Sequence, residues 1–416
     1  MSGAPPLVTR TTFQLAGGLL FAVYLPVVTR WQFDTRIVTD PSMANTILGT
    51  GIALIVGYYF YRSLTTFPGV RALSYIIPTI VASFTVMLIA FFFLRLDYSR
   101  YQFISSFALT LLWFHGVNLA AGRARPYSLA VVPGGDSGSL RSQARVAFSH
   151  LAEPRLGGEW DGVVADLRAD LGEKWERFIT DCAISGMPVF HVKQVRESLT
   201  GRVEIEHLSE NNFGSLIPNL AYVKIKQVID WLAALAVLPF LLPVFAIVAI
   251  LIKRDSPGPV FFTQERMGYQ GHPFTVYKFR TMAGDSNEDE LDDAITKTDD
   301  QRITDLGRFL RRTRIDELPQ VFNILRGEMS WIGPRPEAAV LSRWYESELA
   351  FYRYRHIVRP GITGWAQVNQ GHVAEVNQVH EKLHYDFYYI KYFSPWLDVL
   401  IVLRTINTMV TGFGAR

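Results

Sequence analysis

The chain has 416 residues, with 41 Lys and Arg against 38 Asp and Glu, for a net charge of +3. Hydrophobic residues make up 49% and charged residues 19%, and the mean hydropathy is +0.15. That balance is apolar for a soluble protein and lacks the basic excess of a nucleic-acid binder. The single cysteine, Cys182, excludes an intrachain disulfide and a cysteine-built zinc site.

Four apolar segments come first, at 13–29, 43–61, 72–94 and 103–121. Each is near the ~20 residues that a helix needs to cross a ~30 Å hydrocarbon core. No small-residue cleavage site follows the first run, so it reads as a retained anchor. Arg30, Arg36, Arg62, Arg71, Arg95 and Arg100 lie in the short loops on both sides, which weakens the positive-inside signal. Arg123 and Arg125 after the fourth segment favour a cytoplasmic exit.

Residues 126–220 change character. Strands are expected at 128–132, 162–166 and 188–192, with a helix over 171–185. This alternation predicts a small α/β module. The run Pro133-Gly134-Gly135-Asp136-Ser137-Gly138 does not fit G-x-G-x-x-G, so a structural or regulatory module is expected instead of a working nucleotide site.

Residues 228–252 are almost wholly apolar, and Pro239 and Pro243 stand in their middle. A proline gives no N–H to the helix ladder and crowds a carbonyl one turn back, so a kink or break is expected. Lys224 and Lys226 precede the segment, and Lys253 and Arg254 follow it. Cations at both ends favour placing both ends in the cytoplasm. A re-entrant hairpin in one leaflet meets both conditions; a kinked spanning helix is the alternative.

Beyond 253, strands are expected at 260–265 and 273–280, joined by a turn at 268–272. Lys278 and Arg280 are two apart and so share one face. Residues 284–300 are acidic, without apolar periodicity, and read as a surface loop. A helix is expected to open near Pro319 and to stop at Gly327. The aromatic run from Tyr385 to Trp396 suits either an interfacial segment or a core helix.

Asp316-Glu317 would then lie at that helix start, where free N–H groups favour carboxylates and bound phosphate. Two carboxylates can serve as a nucleophile toward phosphorus and as a Mg²⁺ ligand. Arg335, locked between Pro334 and Pro336, can grip a diphosphate with little ordering cost. Lys278 and Arg280 can add charge from the strand. Any one of these features alone is more often a helix cap or a rigid turn; their order along the chain is specific.

That order resembles the bacterial sugar transferases, the monotopic polyprenyl-phosphate phosphoglycosyl transferases. The resemblance rests on Ser256-Pro257-Gly258-Pro259-Val260-Phe261-Phe262, Gln264-Glu265-Arg266, Lys278-Phe279-Arg280-Thr281-Met282, Asp316-Glu317-Leu318-Pro319-Gln320, Gly333-Pro334-Arg335-Pro336 and Pro360-Gly361-Ile362-Thr363-Gly364-Trp365. It covers 222–416, and the preceding segments resemble the family's long form. It implies an α+β membrane protein with four transmembrane helices at 1–122 and a degenerate, Rossmann-like α/β module at 123–221. A mixed α/β catalytic domain follows at 222–416, with a re-entrant hairpin at 227–252, on the cytoplasmic face of the inner membrane.

The implied reaction moves glucose-phosphate or galactose-phosphate from a UDP-sugar to undecaprenyl phosphate, starting exopolysaccharide or O-antigen assembly. Asp316 would attack phosphorus and release UMP, and Glu317 would bind Mg²⁺ or move a proton. Arg311 and Arg335 match phosphate-side arginines, Lys278 and Arg280 match a basic strand, and Asp386 matches a further metal-side carboxylate. A homodimer is implied by the long form. Lys224-Ile225-Lys226, Leu238, Arg314 and Asn369-Gln370-Gly371-His372 depart from the family's usual residues. A glycosyltransferase moving sugar alone, or a non-catalytic scaffold, are the competing classes.

Overall fold

The computed structural model describes residues 8, 10–31, 40–65, 72–122, 127–140, 146–155, 160–205, 218, 220–283, 302–370 and 376–411. The expected acidic loop at 284–300, Arg36, Arg71, Arg123, Arg125 and the pair Gly371-His372 lie outside these residues. Two compact units divide the chain, 1–201 and 202–416.

In the first unit, helix α1 (Thr11–Gly18) runs through a π-helical turn (Leu19–Tyr24) into α2 (Leu25–Trp31), followed by α3 (Pro41–Thr65), α4 (Ala72–Phe93) and α5 (Arg100–Gly122). Four stretches of this unit are helices long and apolar enough to cross a membrane, and in a hydrocarbon core each N–H must bond within its own segment. The π turn departs from that ladder, and Gln102 Nε2 donates to its Val23 carbonyl at 2.8 Å. The helices meet through Leu54, Tyr58, Ile80, Phe84, Phe91, Phe103 and Phe114.

The α/β module follows, with β1 (Tyr127–Val131), β2 (Val146–His150), β3 (Gly162–Ala165), α6 (Glu173–Ile184), β4 (Val189–His191) and α7 (Val192–Thr200). The strands form a parallel sheet in the order β2-β1-β3-β4. Alternation along β1 and β3 sends Leu129, Val131 and Val164 toward Val192 and Val195 of α7. It sends Ala130, Val132, Val163 and Ala165 toward Phe178 and Cys182 of α6. Strand β2 was not expected from the sequence; its edge position leaves it half-buried and without a continuous apolar run.

At the turn after β1, Asp136 N donates to Asp166 Oδ2 at 2.9 Å, and Asp136 pairs with Arg196. A Cβ on Gly135, whose φ is +54, would lie 2.2 Å from the same Asp166 oxygen. The Asp166 carboxylate thus packs directly against the turn that follows β1.

The second unit begins with α8 (Leu220–Asp255), a single helix that contains both Pro239 and Pro243. Of the kink or break expected at these prolines, the break is absent, since one helix runs through both. Each proline removes one ladder bond, and the apolar turns on either side sustain the helical path. Two small sheets follow, the antiparallel pair β5 (Phe261–Met267) with β6 (Pro273–Phe279) and the parallel pair β7 (Ser330–Ile332) with β8 (Gly361–Thr363). Between β6 and β7 come α9 (Asp305–Thr313), a 3₁₀ turn (Ile315–Gln320) and α10 (Val321–Leu325), and α11 (Ala339–Glu348) lies between β7 and β8. The chain ends with α12 (Trp365–Gln370), α13 (Val376–Lys391) and α14 (Pro395–Thr411).

Two cores hold this unit. Phe245, Val248 and Ile252 of α8 pack with Val276, Phe279, Leu310, Val321 and Ile324. Phe279 is 1% exposed, so Phe279→Ala would cost about 3–5 kcal/mol. Tyr385, Phe387, Tyr388, Tyr389, Phe393, Leu397, Leu400 and Ile401 are also buried. The aromatic run at the chain end is therefore core.

The far end of α8 is fixed by charge. Lys226 Nζ lies 3.0 Å from Asp398 Oδ2 and 3.5 Å from Asp230 Oδ2. Ser330 Oγ donates to Asp230 at 2.6 Å, and Tyr389 OH lies 2.8 Å from Asp398 Oδ1 and 3.0 Å from the Ile332 carbonyl. The network joins the apolar helix to β7, the strand that leads into Arg335.

Candidate active site

Of the two places expected for Asp316 and Glu317, just before the helix or inside its first turn, they take the first, in the 3₁₀ turn that leads into α10. Arg314, left-handed at φ 58, ends α9 and reverses the chain into that turn. Helix α10 has only five residues, so a helix dipole contributes little to the site. Asn323 of α10 donates to the Thr275 carbonyl at 2.7 Å and accepts from Tyr277 N at 3.2 Å. These bonds set the turn beside β6 and bring Lys278 to it.

Glu317 is 4% exposed and faces three cations. Arg335 holds it in a fork, with Nη1 3.3 Å from Oε2 and Nη2 on Oε1. Lys278 Nζ lies 3.7 Å and Arg314 Nη1 3.6 Å from Oε1. Burial alone would raise the Glu317 pKa, but Arg335 and Lys278 outweigh it and hold the carboxyl well below its usual range. Burial pushes Lys278 the other way, toward its neutral form, with Arg266 adding repulsion.

Asp316 is 8% exposed. Burial, then the charge on Glu317, pushes its pKa up to about 6. Its Oδ1 is buried and has no hydrogen-bond partner. The turn thus presents one neutralised carboxylate and one with an unused oxygen.

Arg335 is positioned by a tightly built loop. A Cβ on Gly361 would fall 2.0 Å from Gly333 N, so only glycine lets β7 and β8 run this close. Gly361 N donates to the Pro334 carbonyl at 2.9 Å, and Gly333 N to the Thr363 carbonyl at 2.9 Å. Arg266 of β5 bonds the Pro336 carbonyl, and Arg355 Nη2 bonds the Arg335 carbonyl at 2.8 Å.

Of the residues expected at the site, Asp316, Glu317, Lys278 and Arg335 converge, with Pro334 shaping the loop. Arg280 does not join them. Its guanidinium bonds the Ser256 and Pro257 carbonyls at 2.7 and 2.9 Å, since the chain leaves β6 just before it. Arg311 donates to Thr281 Oγ1 at 2.8 Å. Asp386 pairs with Arg355 at 3.0 Å. Pro239 and Pro243 stay in the apolar helix. Arg266 and Arg355 had no signal in the sequence as loop clamps, because each acts on a backbone carbonyl remote in the chain.

Among the described residues, no three His, Cys, Asp or Glu side chains gather as a metal centre. Mg²⁺ needs less from a protein, one or two carboxylates plus substrate phosphates. The orphaned Asp316 oxygen beside Glu317 fits that requirement, although both Glu317 oxygens are bonded by Arg335.

The family model for bacterial sugar transferases matches residues 221–412. The chain is 45% identical over 402 residues to the UDP-N-acetylgalactosamine-undecaprenyl-phosphate N-acetylgalactosaminephosphotransferase of Aeromonas hydrophila, covering 96% of this chain and 94% of the relative. It is 44% identical over 186 residues to the UDP-glucose:undecaprenyl-phosphate glucose-1-phosphate transferase of Xanthomonas campestris pv. campestris, covering 44% of this chain and 38% of that protein. An Escherichia coli (strain K12) enzyme of the same description is 40% identical, covering 44% and 39%. The near-complete match spans both units, and the chain belongs to the bacterial sugar transferase family.

Proposed function

We propose that this protein moves a sugar-1-phosphate from a UDP-sugar to undecaprenyl phosphate at a membrane surface and releases UMP. The observation that carries the reading is the buried Asp316 oxygen without a partner, next to a carboxylate gripped by Arg335 and Lys278. In the first half, an Asp316 oxygen attacks the β-phosphorus, and the bond to the UMP oxygen breaks. In the second, an oxygen of the lipid phosphate attacks the same phosphorus and frees Asp316. Arg335 and Lys278 offset the diphosphate charge, and Glu317 holds both cations in place. Asp316 and Glu317 are the residues that would hold Mg²⁺, whose charge would offset that of the phosphates.

N-acetylgalactosamine is the first sugar to test, because the relative that matches nearly the whole chain carries it in its description. The glucose and galactose expected from the sequence follow it in the panel. The catalytic unit is read as cytoplasmic, with α8 entering and leaving one leaflet. Asp230 near one end of the helix and Ile252 near the other both pack into the same unit. A straight helix separates them by about 33 Å, a full hydrocarbon core, so a spanning helix would pull that unit across the membrane.

The test is incubation with undecaprenyl phosphate and UDP-N-acetylgalactosamine, UDP-glucose or UDP-galactose, reading the nucleotide product. UMP is expected. UDP in its place would mean that sugar alone moves and would overturn the reading.

A further inference from the structure

Behind the Gly333-Pro334-Arg335-Pro336 loop lies a buried ion cluster that touches neither Asp316 nor Glu317. Arg355 is 3% exposed and Asp386 2% exposed. Arg355 Nη2 lies 3.0 Å from Asp386 Oδ2 and donates to the Arg335 carbonyl at 2.8 Å, while Nη1 bonds Tyr352 OH at 2.7 Å. Lys382, one turn before Asp386 on α13, pairs with Glu337. Met267 N donates to the Glu337 carbonyl at 3.0 Å. The loop is thus held from both sides.

We propose that Arg355 and Asp386 form a positioning clamp, in which Asp386 orients Arg355 and Arg355 fixes the backbone of Arg335 for gripping the diphosphate. This reading rests on the transferase function above, and it gives Asp386 a role other than metal ligation. Two observations support it. Asp386 Oδ2 meets the buried Arg355 guanidinium as an ionic contact and has no other hydrogen-bond partner among the described residues, and a buried cation that loses its counter-charge is strongly disfavoured. Arg335 lies between two prolines, so the segment responds to a pull on its carbonyl as a stiff unit, and a shift near 1 Å at a positioned group can cost about 100-fold in rate.

The test compares wild type with Asp386→Asn, Asp386→Glu and Arg355→Lys. Two measurements are made, UMP binding by isothermal titration in EDTA and turnover against Mg²⁺. Asp386→Asn should weaken metal-free UMP binding and lower kcat/KM by about 10- to 100-fold, through KM more than kcat. Its half-saturating Mg²⁺ should match wild type, and Asp386→Glu should recover part of the loss. Unchanged UMP affinity in EDTA, or a raised Mg²⁺ requirement, overturns the clamp. If the single variants do not fold, Arg355→Met/Asp386→Leu removes both charges together. Wild-type UMP affinity in that double variant also overturns it. Failure of wild type to release UMP from any UDP-sugar would overturn the transferase reading instead; an active wild type whose variants bind UMP normally overturns only the clamp.

Discussion

Asp316 and Glu317 are adjacent in the chain and share Lys278, Arg314 and Arg335 as cationic neighbours, yet their pKa values move in opposite directions. Glu317 lies in the fork of Arg335, and its charge is matched by three cations. Asp316 is buried, lies beside that negative charge and keeps one oxygen without a partner. A carboxylate destined to attack phosphorus needs the second condition, since a fully hydrogen-bonded oxygen is a weaker nucleophile. A carboxylate destined to hold cations in register needs the first. In the proposed reaction the 3₁₀ turn separates these two roles within one peptide unit.

Asp316→Asn should abolish UMP release and any phosphosugar adduct while leaving the fold more stable near neutral pH. The Asp316 pKa is raised from 3.8 to about 6 by burial and Glu317. Its contribution to stability is therefore fully present below pH 3.8 and lost as pH rises through 6. That loss corresponds to roughly 3 kcal/mol at most, and asparagine never incurs it. Thermal unfolding at pH 4 and pH 8 should show the variant's advantage growing by about 1–3 kcal/mol. Near-normal turnover would remove Asp316 as nucleophile.

The pH profile of kcat/KM should have two limbs. The acid limb follows ionisation of Asp316 near pH 6, with activity falling about tenfold per pH unit below it. The alkaline limb follows loss of charge on Lys278, whose pKa burial and Arg266 lower from its ordinary value. Because the groups interact, the limbs belong to the cluster as a whole. Lys278→Arg should remove the alkaline limb and keep the acid one. A profile flat from pH 5 to pH 9 in wild type would contradict both assignments.

The fold was legible where a single segment decides its own state. Apolar runs near 20 residues long gave the four N-terminal helices within a few residues, and β5 and β6 followed from alternation between turns. Edge strand β2 and the 3₁₀ turn were not legible, because neighbours determine them. Asp316, Glu317, Lys278 and Arg335 could be named from motif order. Their grouping around Glu317 depends on Asn323 and Gly361, which act by fixing one segment's backbone against another. Arg280 shows the limit of pattern reading. Strand periodicity put it beside Lys278, but β6 ends at Phe279, and the guanidinium turns to the Ser256 carbonyl.

Glu317→Gln should be damaging through its neighbours. Removing one partner of a buried ion cluster costs about 3–5 kcal/mol, because the remaining charge is left uncompensated. Here Arg335 and Lys278 would face each other without an anion between them. Urea unfolding should show the loss, and Glu317→Gln/Lys278→Met should recover part of it. Wild-type stability in the single variant would mean that the cations do not depend on Glu317.

The path of α8 can be read by labelling. Lys224 and Arg254 lie near the two ends of the helix and are exposed. In a Cys182→Ser background, Lys224→Cys and Arg254→Cys place one thiol at each end. A membrane-impermeant maleimide applied from outside intact cells should label neither, and both should react in inverted vesicles. The expectation follows from packing. Lys226 and Asp230 are tied to Asp398 and Ser330, while Phe245 and Ile252 are buried against the core of Phe279 and Leu310. Both ends therefore stay with one unit, while exposed apolar side chains from Val228 to Leu251 run along the other side of the helix. Labelling from opposite sides would show a spanning helix, and the residues on one flank would then have to leave that packing.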